Sequence, residues 1–375
     1  MTTQIQVGLI GYGMAGEVFH APLIAAAPEL CLRSVVERRS ERASLHYPDA
    51  LIVRSPEALL ADPQIDLVVV ATPNTSHFPL AQQALLAGKH VVVDKPFTIT
   101  SSEAQDLIDL AQRVGKTLTV FQNRRWDGGF LTVRRLVDQG LLGQLVSYEA
   151  AFDRFRNYLK PNAWREEPLP GSGVLYDLGA HLVDQALVLF GWPERVTAVL
   201  HHQRPHAQTD DAFDLRLGYD GLEVTLAAGM LRRQPRPHFA LHGTLGSYVK
   251  SGLDPQEAAL KAGAWPGAEG WGAESAAQWG GLDVDLNGLH FQGPIEQRLS
   301  PALQQCLDLR IASGKQVGIE AGLAGRGKNL AGMDVEHHDG PPGALANSRR
   351  LTFRAASKAI EQLLGKSLHL RIDRQ

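Results

Sequence analysis

Two short stretches of the sequence carry side chains able to exchange protons. Lys95 follows the apolar run Val91–Val93 and Asp94, and precedes Pro96. A proline restricts the residue before it to an extended conformation, so the lysine is expected where a strand ends. In a crevice it can give or take a proton; on an exposed turn it is only a surface charge. Position alone leaves both readings open. Asp177, His181 and Asp184 follow one another at offsets of four and three, which puts them on one face of a helix. Leu178, Leu182, Ala186, Leu189 and Phe190 supply an apolar stripe, and Gly191 with Pro193 marks the end. The His181 imidazole can donate to or accept from a hydroxyl, with a carboxylate fixing its tautomer. A buried structural histidine and a zinc site are the alternatives. No further His or Cys cluster accompanies these residues, so no metal is expected.

A second chemistry lies in Gly11-Tyr12-Gly13-Met14-Ala15-Gly16, a G-x-G-x-x-G that directly follows an apolar run and opens a helix. In that context Gly11 permits a tight turn, Gly13 lets a pyrophosphate approach the backbone, and Gly16 lets the helix pack closely on the strand. The helix start at Met14 and Ala15 offers N–H groups and a positive dipole end. The expected ligand is a dinucleotide. Glu37 lies about 20 residues further on, where a carboxylate can accept hydrogen bonds from the ribose of NAD. Arg38-Arg39-Ser40 come next, and Arg38 in particular would suit the 2′-phosphate of NADP. The cofactor expectation is therefore NADP or NAD. Oxidising a secondary alcohol with such a cofactor requires an acid/base beside the hydroxyl, which gives Lys95 and His181 a common purpose.

The elements that must position these groups alternate. Strands are expected over Ile5–Ile10, Leu30–Val36, Ile65–Ala71, His90–Asp94 and Thr117–Phe121. Helices are expected after Gly16, within Ser55–Pro63, over Ser76–Ala87 and from Ser101 to Gly115. Such alternation implies βαβ units and a parallel sheet. Thr72, Pro73 and Asn74 then lie at a strand's carboxyl end and, with His77, are candidates for the cofactor; a turn and N-cap would use the same residue types. Asn123, Arg124 and Trp126 follow the last strand, where polar side chains suit a polyhydroxylated ligand. Trp126 fits an interdomain core equally well. After Gly143 the pattern turns to strands, over Leu145–Phe152, Arg195–Gln203, Ala212–Tyr219, Leu222–Ala228 and His238–His242, with a hairpin signal at Tyr219-Asp220-Gly221. This implies an α+β second domain.

The chain has 375 residues, 44% hydrophobic and 21% charged, with a net charge of −3. Two domains are expected from that length, and the charge gives no reason to expect nucleic acid or a membrane surface. Cys31 and Cys306 form no metal spacing or disulfide framework. The opening segment lacks a signal-peptide pattern and no run nears the ~18 apolar residues of a bilayer span; a cytoplasmic location is expected. The expected division is 1–123, 124–297 and a tail at 298–375. Seven glycines between Gly318 and Gly343 make that tail read as loop or partial disorder.

Taken together, Gly11–Gly16, Ala71-Thr72-Pro73-Asn74-Thr75-Ser76-His77, Asp94-Lys95-Pro96 and Gly179-Ala180-His181 resemble the Gfo/Idh/MocA oxidoreductases. GLIGYGMAGEVFHAPLI, VFQNRRWDGGFLT and GVLYDLGAHLVDQALVLFG resemble most its scyllo-inositol dehydrogenase (NADP-type) subgroup. The resemblance covers roughly Ile5 to Pro294; Asp94 stands where the family usually has Glu, and the family's closing helices find no counterpart in the tail. It implies an N-terminal Rossmann domain, a second domain with a large, mostly antiparallel sheet, and a homo-oligomer, dimer or tetramer, formed through that sheet. It also implies proton-transfer roles for Lys95 and His181, substrate orientation by Asp177, and a place near cofactor and substrate for Arg165, with Tyr158 a weaker candidate. Asp94 and Lys95 would lie against the cofactor. The implied reaction interconverts an alcohol of a small polyol, scyllo-inositol first, and its ketone. A sugar 1-dehydrogenase and a non-catalytic NAD(P)-binding sensor are the alternatives.

Overall fold

The computed structural model describes residues 4–286 and 288–295. The expectations placed on 298–375 lie outside the described residues.

The first half is a six-stranded parallel sheet. Its strands are β1 (Ile5–Ile10), β2 (Leu30–Val36), β3 (Leu51–Val53), β4 (Leu67–Val70), β5 (His90–Val93) and β6 (Leu118–Val120), in the spatial order β3-β2-β1-β4-β5-β6. The order reverses between β1 and β4, and ligands bind at such switch points beyond the carboxyl ends of the strands. β4 reads Leu-Val-Val-Val because both faces of a central parallel strand are covered. The helices α1 (Ala21–Ala26), α2 (Arg42–His46), α3 (Pro56–Leu60), α4 (His77–Leu86) and α5 (Ser101–Val114) supply that cover. Leu59 of α3 and Leu107, Leu110 and Ala111 of α5 join the core with Val68, Val70, Val91 and Val93. α5 shows how firmly the sequence sets a boundary. Thr100 and Glu103 form a reciprocal capping box, and Gly115 ends the helix at φ 65°, a left-handed conformation that favours glycine.

The second half is an eight-stranded sheet ordered β14-β13-β12-β11-β7-β10-β9-β8. Here β7 is Leu145–Asp153, β8 Arg195–His201, β9 Ala212–Tyr219, β10 Leu222–Gly229, β11 Phe239–Gly243, β12 Gly246–Lys250, β13 Gly280–Leu286 and β14 Leu289–Ile295. Every pairing is antiparallel except β7 with β10. One face carries α6 (Gly128–Asp138) and α7 (Ala180–Phe190), with Phe130, Tyr148, Phe152, Leu182, Phe213 and Phe239 in the shared core. α8 (Gln256–Lys261) follows β12 and touches the turn just after the glycine motif.

The strands expected from sequence are present, and four others are not foreseen. β3 has three residues, too few for a period. β12 has only five residues, and β13 and β14 carry Gly, Asp, His and Gln on their outer faces, polar enough to read as loop.

Candidate active site

The carboxyl ends of β1, β4, β5 and β6 deliver four loops to one edge of the parallel sheet. The first is the glycine motif. Gly11 has φ +103°, and a Cβ there would stand 2.5 Å from the Ala71 carbonyl oxygen. A Cβ on Gly16 would stand 2.1 Å from the Gly11 oxygen. Neither site admits a side chain. A Cβ on Gly13 would meet nothing within 4 Å, so this glycine faces open space over the helix start. That cradle, with the N–H groups of the first helical turn at Met14 and Ala15 lacking intrahelical partners, fits a dinucleotide pyrophosphate.

Glu37, at the end of β2, is only 4% exposed. Its carboxylate accepts from the Ser40 hydroxyl, from Arg42 N (3.1 Å) and from Ala43 N (2.7 Å), and so caps α2. Burial raises its pKa, but these donors outweigh that and hold it below the usual carboxylate value. The carboxylate expected at the ribose is engaged with its own loop. Arg38 and Arg39 are exposed beside it.

At the end of β4, the Ser76 hydroxyl donates to Thr72 Oγ1 and to the Pro73 carbonyl, and the Thr72 methyl lies against Gly11. Asn74 is buried and donates to the Gly171 carbonyl at 2.7 Å, tying this loop to the second half of the chain. His77 is fully enclosed, with Nδ1 2.8 Å from the Pro96 oxygen and Nε2 2.9 Å from the Thr72 oxygen. No ring nitrogen is left for a cofactor. His77 instead braces the Thr72 loop against the Lys95–Pro96 loop.

The third loop brings Lys95 to Asp177. Lys95 Nζ donates to the Asp177 backbone oxygen (2.6 Å) and to Asp177 Oδ1 (3.1 Å), and Arg165 Nε reaches the same Oδ1 at 3.2 Å. Burial would raise the Asp177 carboxyl, but Lys95, Arg165 and Arg154 hold it well below the carboxylate range. His181 is 6% exposed, and its Nδ1 is enclosed without a partner. Burial, with the nearby charges of Lys95 and Arg124, pushes its pKa well below the ordinary histidine value, against a smaller opposite pull from Asp177. The imidazole is therefore neutral, with a lone pair on one of its two ring nitrogens. Asp94 is held low as well: burial is outweighed by His20, Lys95 and the Lys95 N–H.

Three expected members go elsewhere. Asp184 points to Arg125, which grips both its oxygens at 2.7 and 2.5 Å. Arg124 is buried and bound to Asp127 (3.1 Å) and Glu257, with its guanidinium over the Phe152 ring; its expected direct substrate contact becomes an electrostatic influence on His181. Trp126 is 70% exposed, so it is no interdomain core. Tyr158 is also exposed, Asn123 is half-buried, and neither is joined to the Lys95–Asp177 cluster by a hydrogen bond. Asp210 accepts from Leu175 N at 2.7 Å and Asp211 pairs with Arg204 at 3.0 Å, so both build the scaffold.

Sequence reading missed two wide helical turns and two side chains. Gly16–His20 and Leu175–Gly179 are π-helical, one leading into α1 and the other into α7; such turns recur at functional sites. The first turns His20 inward, with Nε2 3.8 Å from Asp94 and its ring 4.3 Å from that of Phe121. The second sets Asp177 and His181 on a widened turn, which the offset of four did not reveal. Arg154 lies just beyond β7, over the Phe152 ring at 5.1 Å. The run Asp-Arg-Phe-Arg was the only signal for it. Among the described residues no three His, Cys, Asp or Glu side chains could hold a metal, and no helix is long and apolar enough to cross a membrane.

Comparisons with known proteins agree with this geometry. The profile of the oxidoreductase family with an NAD-binding Rossmann fold matches residues 5–122, and that of the GFO/IDH/MocA C-terminal domain matches 130–249. The oxidoreductase YdgJ of Escherichia coli (strain K12) is 48% identical over 72% of this chain and 78% of its own. The scyllo-inositol 2-dehydrogenase (NADP(+)) IolW of Bacillus subtilis (strain 168) is 40% identical over 74% of this chain and 77% of its own. The structure of the oxidoreductase yvaA from Bacillus subtilis superposes with a TM-score of 0.76 at 36% identity, covering 84% of this chain and 90% of that one. With a dinucleotide cradle and a Lys/Asp/His cluster at the seam of the two matched regions, the chain belongs to the Gfo/Idh/MocA family of NAD(P)-dependent oxidoreductases.

Proposed function

We propose that this protein oxidises a secondary alcohol of a cyclic polyol, scyllo-inositol first, or reduces the matching ketone, with NADP preferred to NAD. The observation that carries the reading is a neutral, enclosed His181 beside a Lys95–Asp177 ion pair at the sheet's switch-point edge. Bound NAD(P) supplies the acceptor, or in reverse the donor, of a hydride. The neutral His181 imidazole takes the hydroxyl proton on a ring nitrogen. Lys95, charged and held by Asp177, donates to the reacting oxygen and stabilises negative charge as it develops there. Arg165 fixes the Asp177 oxygen that holds Lys95. The preference for NADP rests on Glu37 being consumed by α2 while Arg38 and Arg39 stay exposed for a 2′-phosphate.

Val199 and Val249, exposed on the sheet face away from α7, support a homo-oligomer through that face; a monomer mass in light scattering would exclude it. The enzymatic reading is tested by following reduction of NADP and of NAD, separately, at 340 nm with inositols and aldoses. Turnover of an inositol with NADP supports it. Tight cofactor binding without turnover of any polyol or sugar makes the chain a sensor.

A further inference from the structure

The arginines around the site are nearly all paired. Arg124 is held by Asp127 and Glu257, Arg156 by Glu166, Arg165 by Asp177, Arg204 by Glu166 and Asp211, and Arg236 by Asp153. Arg154 differs. Its backbone is fixed on both sides, N to the Gly229 oxygen at 2.9 Å and O to Arg232 N at 3.0 Å. Its side chain is half-buried with Phe152 beneath it, yet the guanidinium has no hydrogen bond or ion pair among the described residues. It lies close enough to Asp177 and His181 to influence both electrostatically. Arg154 makes no hydrogen bond to Asp177, whose Oδ1 takes both Lys95 and Arg165. A half-buried guanidinium with no protein partner keeps its N–H donors available to a ligand. Its planar fork of N–H donors matches two neighbouring oxygens.

We propose that Arg154 is a specificity-determining residue that grips two adjacent ring oxygens of the substrate, on carbons other than the one that gives up hydride. The inference rests on the polyol reading above and narrows it: the ligand must present a vicinal diol to the Arg154 fork while its reacting hydroxyl faces Lys95 and His181. The Phe152 ring, 5.1 Å from the guanidinium carbon, gives the side chain a cation–π contact.

The test compares the full-length wild type with Arg154→Met and Arg154→Lys. Three quantities are read: kcat and KM for scyllo-inositol and monodeoxy-inositols, calorimetric binding of the same polyols to the NADP-loaded protein, and the Kd for NADP. A charge-assisted contact of ~1.5–3 kcal/mol predicts that Arg154→Met raises KM and the polyol Kd about 10- to 100-fold. The change in kcat is expected to stay within about 3-fold, because the contact is made equally in ground and transition states. NADP affinity stays unchanged. Arg154→Lys recovers only part of the loss, since an ammonium cannot bridge two oxygens. A monodeoxy analogue lacking a gripped oxygen loses its sensitivity to the substitution. Wild-type KM and polyol binding in Arg154→Met, with turnover intact, overturns the Arg154 assignment and leaves the polyol reading standing. A wild-type protein that neither binds nor oxidises any vicinal polyol overturns both.

Discussion

At the residue scale the site works through charge placed around one neutral imidazole. Burial and the cations Lys95 and Arg124 depress the His181 pKa below its ordinary 6.5. A depressed basic group stays neutral down to its folded value, so the acid limb of kcat/KM for alcohol oxidation is expected below pH 6.5. A pH–rate profile checks this, and the limb should vanish in His181→Gln along with most of the activity. The same group contributes stability that is full above pH 6.5 and is lost as the pH falls through the folded value. Asp177→Asn removes the charge that fixes Lys95, and should lower kcat about 10- to 1000-fold while moving the NADP Kd little; steady-state kinetics with a cofactor titration reads both. Position and helical spacing alone left Lys95 and His181 open between a site and a structural role, and the family resemblance chose the site. Arg154 and His20 were not legible, since an arginine or histidine in sequence carries no sign of whether it will be paired.

At the element scale the glycine turn makes a prediction that separates folding from binding. Gly16→Ala puts a Cβ 2.1 Å from the Gly11 oxygen and should lower Tm by several degrees. Gly13→Ala meets no protein atom within 4 Å and should leave Tm unchanged. Its methyl enters the space assigned to the pyrophosphate, so it should weaken NADP binding at least about 10-fold. Thermal melts and fluorescence titrations of the two variants distinguish these outcomes. Equal Tm losses, or undiminished NADP affinity in Gly13→Ala, would remove the pyrophosphate from that position. Next to this turn, replacing Arg38 and Arg39 together by alanine should lower kcat/KM for NADP about 10-fold and spare NAD, whereas Glu37→Gln should chiefly lower Tm through α2. The parallel strands were readable from valine-rich runs bounded by glycine and polar turns. The π turns were not, because each spans only five residues, too few to set a period of its own.

At the scale of the whole molecule the site is a seam. Asn74 to the Gly171 oxygen, Tyr176 Oη to the Ile99 oxygen at 3.2 Å, and Lys95 to Asp177 all join the parallel-sheet half to the segment that leads into α7. Both halves and their order were readable from sequence, but not this stitching, in which side chains bond to backbone oxygens 77 to 97 positions away. A buried acidic cluster lies under the seam. Asp127 is pushed up to about 7 by burial and by Asp254 and Glu257, against the pull of Arg124. Its folded value is raised, so its share of stability is full below the ordinary carboxylate value and is lost as pH rises through about 7. Asp127→Asn, which stays neutral, should therefore gain Tm relative to wild type as pH goes from about 5 to about 8; a constant difference would place the Asp127 titration elsewhere. The most direct measurement of the central claim is NADP reduction at 340 nm with scyllo-inositol by the wild type, Lys95→Ala and His181→Ala, each checked for NADP binding. The account predicts turnover by the wild type, a loss of at least about 100-fold in each variant, and NADP affinity retained in all three. Near-normal turnover in either variant would contradict it.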